Sequence, residues 1–249
     1  MPEQLSSNPI YLKNVMNWIN AKEFVVGGSR TVDFPDCVGI GDIPAVCSGT
    51  LIAPQVVLTA GHCVGFPPFI YVGENMNGNP VVTGFTPVQH PAFDPDTKEN
   101  DLALLFLDDP VEDVKPCVLA ESRMIDLASE ICVVGFGYDD PMGRSGLGVK
   151  RTAKVPIISK SCPEPDALRY SCNEDLELVA IAPNCNSDTC DGDSGGPAYV
   201  QADAGSEWFL AAVTSRGFDH RRNPCGDGGI YVRVDKYKDW IDECMHKGP

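Results

Sequence analysis

A serine that could act as a nucleophile lies near the end of the chain, in the sequence CNSDTCDGDSGGP of residues 185–197. Ser194 follows Asp193 and precedes two glycines. One interpretation of this stretch is a flexible acidic loop. The other is a nucleophile on a tight turn, with backbone N–H groups directed at a developing negative charge. The second interpretation requires a base and an orienting group elsewhere in the chain.

Candidates for both groups occur upstream of the serine. A serine hydroxyl is a poor nucleophile unless a base takes its proton and a third group orients that base. His62 lies in LTAGHCV, at the end of an apolar run and beside a cysteine. Asp101 lies in ENDLALLFL, where burial of a carboxylate requires a hydrogen-bonding partner. Alone, His62 is compatible with a structural histidine and Asp101 with a strand-capping acid; together with Ser194 they predict nucleophilic catalysis.

The composition indicates a folded domain and limits its partners. The 249 residues are 43% hydrophobic and 8% aromatic, which suits one large or two small domains with a buried core. The net charge of −16 argues against binding to nucleic acid or to anionic membranes, since both attract Lys and Arg. It would attract basic protein substrates. No apolar run is long enough to predict a transmembrane helix.

The cysteines and the N-terminal sequence give different indications of compartment. The 11 cysteines at scattered spacings favour disulfides and an oxidising compartment, and their odd number leaves at least one thiol unpaired within the chain. The first residues lack the basic region and apolar core of a secretory signal. We therefore expect a secreted or extracytoplasmic protein if a leader is missing from this sequence, and a cytoplasmic one otherwise.

The elements that must position these side chains are mostly strands. Residues 1–24 are a separate segment with apolar residues on one helical face, either a short packed helix or a removable pro-segment. Beyond it, short apolar runs alternate with Gly, Pro, Asp and Asn, as in a sandwich or barrel of many short strands. Helical periodicity returns at the C-terminus, where one face presents Tyr237, Trp240, Ile241 and Cys244.

The motifs TAGHC, NDLALL and GDSGGP together resemble the catalytic motifs of the trypsin/chymotrypsin-like serine peptidases. The resemblance runs from VVGG at Val25 to the helix after Trp240. It implies an all-β fold of two packed six-stranded antiparallel β-barrels with a C-terminal helix. It also implies a leader or pro-segment over residues 1–24, a peptidase domain over residues 25–249, protein or peptide substrates, and no cofactor.

The family mechanism assigns a role to each of these residues. Ser194 attacks the scissile carbonyl, His62 shuttles the proton, and Asp101 orients the histidine and stabilises the imidazolium. The backbone N–H groups of Gly192 and Ser194 form the oxyanion hole. The resemblance therefore implies an endopeptidase that works through an acyl-enzyme.

Other classes of protein fit the sequence less well. GDSGG also matches the nucleophile elbow of α/β-hydrolases, but that fold needs its acid and then its histidine after the serine. Only His220 and His246 follow Ser194, with no room for the intervening βα units. A metal site in CNSDTCDGD lacks paired Cys or His spacing. The alternatives that stay open are a dormant or non-catalytic binding protein on the same fold, and a selective protease that activates one protein partner.

The resemblance also implies a specificity pocket. In this family the residue six positions before the nucleophile lies at the floor of the pocket, and in this sequence that residue is Asp188. A carboxylate there favours substrates with Arg or Lys before the cut. The walls correspond to Ser215, Arg216 and Gly217 on one side and Gly229 on the other. Arg216 stands where the family usually has Trp. A cation beside the bound peptide predicts a preference for acidic residues two to four positions before the cut.

Family disulfides map onto some of the cysteines. The resemblance pairs Cys47 with Cys63 and Cys190 with Cys225, and it pairs Cys185 with Cys162, with Cys172 as the alternative partner of Cys185. The cysteines left without a secure assignment are Cys37, Cys117, Cys132, Cys172 and Cys244.

Activation in this family follows cleavage before the VVGG sequence. The new α-amino group of Val25 would pair with Asp193 and order the oxyanion hole. Phe24 rather than a basic residue precedes the cleavage point, so we expect another protease to activate the chain, or the intact chain to be a dormant zymogen. The loop around Glu74 is shorter than that of calcium-binding members, and we expect no metal site.

Overall fold

The computed structural model describes residues 28–140, 144–182, 188–203, 205–218, 225 and 227–249. The segment 1–24, Val25 and Cys185 lie outside these residues. The strands are β1 (Ser29–Arg30), β2 (Cys37–Asp42), β3 (Ala45–Ala53), β4 (Val56–Thr59), β5 (Ile70–Tyr71), β6 (Phe85–Gln89), β7 (Ala103–Leu107), β8 (Glu130–Gly135), β9 (Arg151–Ser159), β10 (Glu177–Ala180), β11 (Pro197–Gln201), β12 (Trp208–Gly217) and β13 (Gly229–Arg233). The helices are α1 (Ser122–Leu127), α2 (Asp166–Tyr170) and α3 (Lys238–Lys247), with 3-10 turns at Gly61–Cys63 and Val234–Tyr237.

The N-terminal half is a six-stranded antiparallel sheet in the order β5-β2-β3-β4-β7-β6. Strand β4 reads VVLT and is buried along its whole length. Strand β7 reads ALLFL and is buried at all but one position. Their apolar runs are continuous rather than alternating because both faces of these strands are covered.

The C-terminal half closes on itself. Strand β8 pairs with both β9 and β11, so β8, β9, β10, β13, β12 and β11 form a closed antiparallel ring of six strands. Strand β1 adds to this ring beside β9. Closure leaves no open edge within the ring that could pair with another chain. The prediction of two six-stranded antiparallel halves is confirmed.

The predicted C-terminal helix is also confirmed, and it joins the two halves. Ile241 of helix α3 is fully buried. The His90 ring, which follows β6 of the N-terminal half, contacts the rings of Tyr237 and Trp240 at centroid distances of 5.2 and 4.9 Å. Burial lowers the pKa of His90 below its usual value, which favours a neutral ring in this aromatic contact. Within the described residues, no helix is long and apolar enough to cross a membrane.

Three disulfides join described residues, and one differs from the expectation. Cys47 is joined to Cys63, and Cys190 to Cys225. Cys162 is joined to Cys172, so the two partners considered for Cys185 are bonded to each other and the expected pairing was wrong. Helix α2 and the left-handed residue Ser171 turn the chain back, which leaves the Cα atoms of Cys162 and Cys172 5.9 Å apart, within bridging distance.

Candidate active site

Strand register brings His62 and Asp101 together. His62 lies in the 3-10 turn after β4, and Asp101 lies two residues before β7. Strands β4 and β7 pair antiparallel with Thr59 opposite Ala103, so the end of one strand meets the start of the other. The His62 Nδ1 atom lies 2.8 Å from Oδ2 of Asp101, and the His62 backbone N–H donates to Oδ1 at 2.9 Å.

The Asp101 carboxylate is buried but well satisfied. Its Oδ2 atom also accepts a hydrogen bond of 2.6 Å from Oγ of Ser215, on strand β12. Burial raises the pKa of Asp101, but hydrogen bonds from His62 and Ser215 outweigh it and hold the pKa below its usual value. An ionised carboxylate only accepts hydrogen bonds, so Nδ1 of His62 carries the hydrogen and Nε2 is left as the ring nitrogen that can accept a proton.

Ser194 sits on a turn that packs directly beside the histidine loop. Its carbonyl oxygen accepts from the Ser48 backbone N–H at 2.8 Å and lies 3.5 Å from Sγ of Cys63, the residue after His62. Gly195 has a φ of +79°, and a Cβ there would lie 2.0 Å from Oγ1 of Thr59. The glycine after the serine is therefore required both by backbone conformation and by the close approach of this turn to β4.

Gly192 presents its N–H in a fixed direction. Its φ is +98°, and a Cβ there would lie 2.8 Å from Cα of Gly137. The carbonyl of Asp191 accepts from the Tyr138 N–H at 3.0 Å. In a trans peptide the C=O and the following N–H point in opposite directions, so the Gly192 N–H points away from Tyr138. The hydrogen bond from Tyr138 therefore holds the peptide that carries the Gly192 N–H.

Asp193 is buried directly behind the serine. Its carboxylate accepts from the backbone N–H groups of Gly137 at 2.7 Å and Cys190 at 2.8 Å. Burial raises the pKa of Asp193 to about 6, with the two hydrogen bonds opposing that rise. Val25, the partner that the activation hypothesis assigns to Asp193, lies outside the described residues.

A cleft of about 750 Å³ opens beside Ser194. Asp188 is buried at 2% exposure, lines this cleft, and accepts a hydrogen bond of 2.8 Å from the Gly228 N–H. Ser215, Arg216 and Gly217 form one wall, as expected. Gly229, expected in the opposite wall, is not among the residues that line the cleft; it pairs with Gly217 across strands β12 and β13, and its neighbour Gly228 lines the cleft.

Arg216 lines the cleft but is not the free cation that the sequence led us to expect. Its guanidinium forms a two-pronged ion pair with Glu177, with N–O distances of 2.7 and 2.9 Å, and also donates to the Ser171 carbonyl at 2.9 Å. The Glu177 side chain is 1% exposed. Since the charge of Arg216 is compensated, the predicted preference for acidic substrate residues loses its basis. The sequence signal for Glu177, an acid in the apolar run LELVAIA, was missed.

A metal ion has no usable ligand set beside the histidine. Cys47, His62 and Cys63 lie close enough to hold an ion. The two sulfur atoms are joined in a disulfide, however, and a metal site needs thiolates.

The chain is similar in sequence and in fold to known proteins. A family model described as Trypsin matches residues 27–241. The chain is similar to serine protease 56 of the mouse, with 32% identity over 95% of this chain, and it spans only 41% of the length of that relative. Among solved structures, it is similar in fold to neuropsin, a serine protease expressed in the limbic system of mouse brain. That match has a TM-score of 0.74 and 23% identity, and covers 88% of this chain and 98% of that chain.

Proposed function

The chain belongs to the trypsin family of serine peptidases, and from that premise we propose that it is an endopeptidase that cleaves after Arg or Lys. The observation that supports this most directly is the buried carboxylate of Asp188 in the cleft that also contains Ser194. The pairing of His62 with Asp101 supports the catalytic half of the proposal.

The proposed reaction gives each of these groups one role. Oγ of Ser194 attacks the scissile carbonyl, and Nε2 of His62 takes its proton and later gives it to the leaving amine. Asp101 stabilises the imidazolium that forms between these steps. The N–H groups of Gly192 and Ser194 hold the oxyanion, and water then hydrolyses the acyl-enzyme by the same steps.

Asp188 sets the preference for the residue before the cut. A buried carboxylate gains an ion pair when Arg or Lys enters the cleft, and an apolar side chain offers no such ion pair. Gly217 and Gly228 line the cleft and offer no side chain that would narrow it. A long cationic side chain therefore binds best.

We also propose that the chain is made as a zymogen with residues 1–24 as its pro-segment. Cleavage by another protease would free the Val25 α-amino group to pair with Asp193. Two buried backbone donors already hold the Asp193 carboxylate behind the serine turn. Disulfides next to His62 and Ser194 suit an extracytoplasmic compartment.

Labelling with a fluorophosphonate probe tests the catalytic half of the proposal, because such probes react with an activated serine. We expect stoichiometric labelling of the chain that begins at Val25, and none with Ser194→Ala. His62→Ala should slow labelling strongly, since the base is lost. A folded protein that resists the probe would instead be a non-catalytic binding protein on the same fold.

A further inference from the structure

Ser48 on strand β3 is fully buried and contacts the nucleophile turn through both its backbone and its side chain. Its backbone N–H donates to the Ser194 carbonyl at 2.8 Å. Its hydroxyl donates to the Gly192 carbonyl at 2.9 Å and accepts from the Phe136 N–H at 3.0 Å. Ser48, which lies in the N-terminal half, therefore connects two parts of the C-terminal half: Phe136, directly after β8, and the turn that contains Ser194.

This hydroxyl completes a pair of restraints on Gly192. The peptide before Gly192 is held through the Asp191 carbonyl, which accepts from the Tyr138 N–H. The peptide after Gly192 is held through its own carbonyl, which accepts from Ser48. Glycine has the widest backbone freedom of any residue, so both flanking peptides must be held to fix the direction of its N–H.

We propose that Ser48 is a positioning residue for the oxyanion hole. This inference rests on the proposed peptidase function, because it assigns to Ser48 the task of aiming the Gly192 N–H at the oxyanion. Ser48 is not among the residues that line the cleft, and its hydroxyl donates to the turn at the Gly192 carbonyl. Its hydroxyl thus stabilises the transition state without contributing to the binding of the substrate side chain.

Ser48 should affect the affinity for an inhibitor that forms an oxyanion but not the affinity for one that only fills the cleft. A peptide aldehyde forms a tetrahedral adduct with Ser194, and its oxyanion needs the Gly192 N–H. Benzamidine is a cation that binds in the Asp188 cleft and forms no oxyanion. Loss of a residue that only maintains the fold would weaken both ligands or neither, whereas loss of a residue that aims Gly192 would weaken the aldehyde alone.

The experiment compares Ser48→Ala with the unaltered active chain. We expect kcat on an Arg amide substrate to fall by about tenfold, less than the roughly 10²–10³-fold cost of removing an oxyanion donor outright. The inhibition constant of an Arg aldehyde should rise by the same factor. KM and the inhibition constant of benzamidine should stay unchanged. Thr50→Val is the matched control, because Thr50 lies on the same buried strand and its hydroxyl has no hydrogen-bond partner among the described residues.

If Ser48→Ala does not fold, Ser48→Gly takes its place, and the same selective loss of aldehyde affinity is expected. Equal weakening of aldehyde and benzamidine, or no change in either, would overturn the role of Ser48. Neither result would contradict the proposed peptidase function. That function would be contradicted only if the unaltered chain neither hydrolysed the substrate nor bound the aldehyde.

Discussion

Ser215 donates its hydroxyl hydrogen to Oδ2 of Asp101 at 2.6 Å, the same oxygen that lies 2.8 Å from Nδ1 of His62. A residue of the cleft wall thus supports the aspartate that orients the base. Because Ser215 is on β12 and Asp101 precedes β7, this bond also spans the two halves of the fold. In the proposed mechanism, this one hydroxyl therefore links the cleft wall to the catalytic aspartate.

Ser215→Ala should destabilise the fold in a pH-dependent way. Asp101 has a pKa below its usual value of 3.8, so its stabilising contribution is present above that value and is lost as pH falls through the folded pKa. Removing a donor to a charged group costs about 1.5–3 kcal/mol. We expect a loss of that size in denaturant unfolding near neutral pH, shrinking as the carboxylate becomes protonated.

Thr214→Val is the control for this measurement. Thr214 is the preceding residue on β12, and its buried hydroxyl has no hydrogen-bond partner within the described part of the chain. It should change the free energy of unfolding little and equally at every pH. A Ser215→Ala effect that did not depend on pH would show that the bond does not act on the Asp101 charge.

Asp188→Asn should remove the preference for Arg and Lys. The substitution keeps the shape of the cleft floor but leaves a bound guanidinium or ammonium without its counter-charge, at a cost of about 3–5 kcal/mol. We expect kcat/KM for Arg peptides to fall by roughly 10²–10⁴-fold, with little change for Phe peptides. Asp96→Asn, an equal charge change at an exposed position of the same cleft, should have a far smaller effect. Similar losses from both variants would contradict a specific role for Asp188.

The free energy of unfolding of the intact chain should fall as pH rises, because the buried Asp193 carboxyl becomes charged. Its pKa is raised to about 6 from 3.8, so the protonated form stabilises the fold at acid pH and that contribution is lost as pH rises through about 6. The shift corresponds to about 3 kcal/mol at most. Asp193→Asn should remove this part of the pH dependence, as measured by denaturant unfolding between about pH 4 and pH 8.

Cleavage before Val25 should abolish the same dependence, because an α-amino partner favours the charged form of the carboxylate. The chain that begins at Val25 is therefore the second arm of this comparison. If intact and trimmed chains showed the same pH dependence, the amino terminus would not pair with Asp193.

Glu177→Gln should change the preference for the residues two to four positions before the cut. In the unaltered chain the Arg216 charge is matched by Glu177, so peptides with Asp or Ala at those positions should be cleaved at equal rates. Removing the carboxylate charge frees the cation, and Asp peptides should then be cleaved faster. Peptides with Lys at the same positions, which should be cleaved more slowly by the variant, are the matched control. A preference for Asp in the unaltered chain would contradict compensation by Glu177.

The sequence was sufficient where the chemistry is local. His62, Asp101 and Ser194 each lie in a short motif, and the apolar runs around them predict the strands whose register brings the histidine and the aspartate together. The glycines around Ser194 predict a tight turn, because glycine has no Cβ and adopts backbone conformations that other residues rarely adopt.

Contacts between distant segments were not predictable from the sequence. The pairing of Arg216 with Glu177 depends on how β12 and the start of β10 are placed in the ring, which no local pattern encodes. The choice of Cys172 over Cys185 depends on the turn made by α2. The hydrogen bond from the Ser48 hydroxyl to Gly192 forms only because the two halves pack against each other.

The most direct test of the account is hydrolysis of reporter peptides that end in Arg, Lys or Phe before the scissile amide. The intact chain, the chain that begins at Val25 and its Ser194→Ala variant are compared under the same conditions. We predict hydrolysis of the Arg and Lys reporters by the trimmed chain, little with Phe, and none with Ser194→Ala. Folded, trimmed protein that hydrolysed no reporter, or that cleaved after Phe as fast as after Arg, would contradict the account.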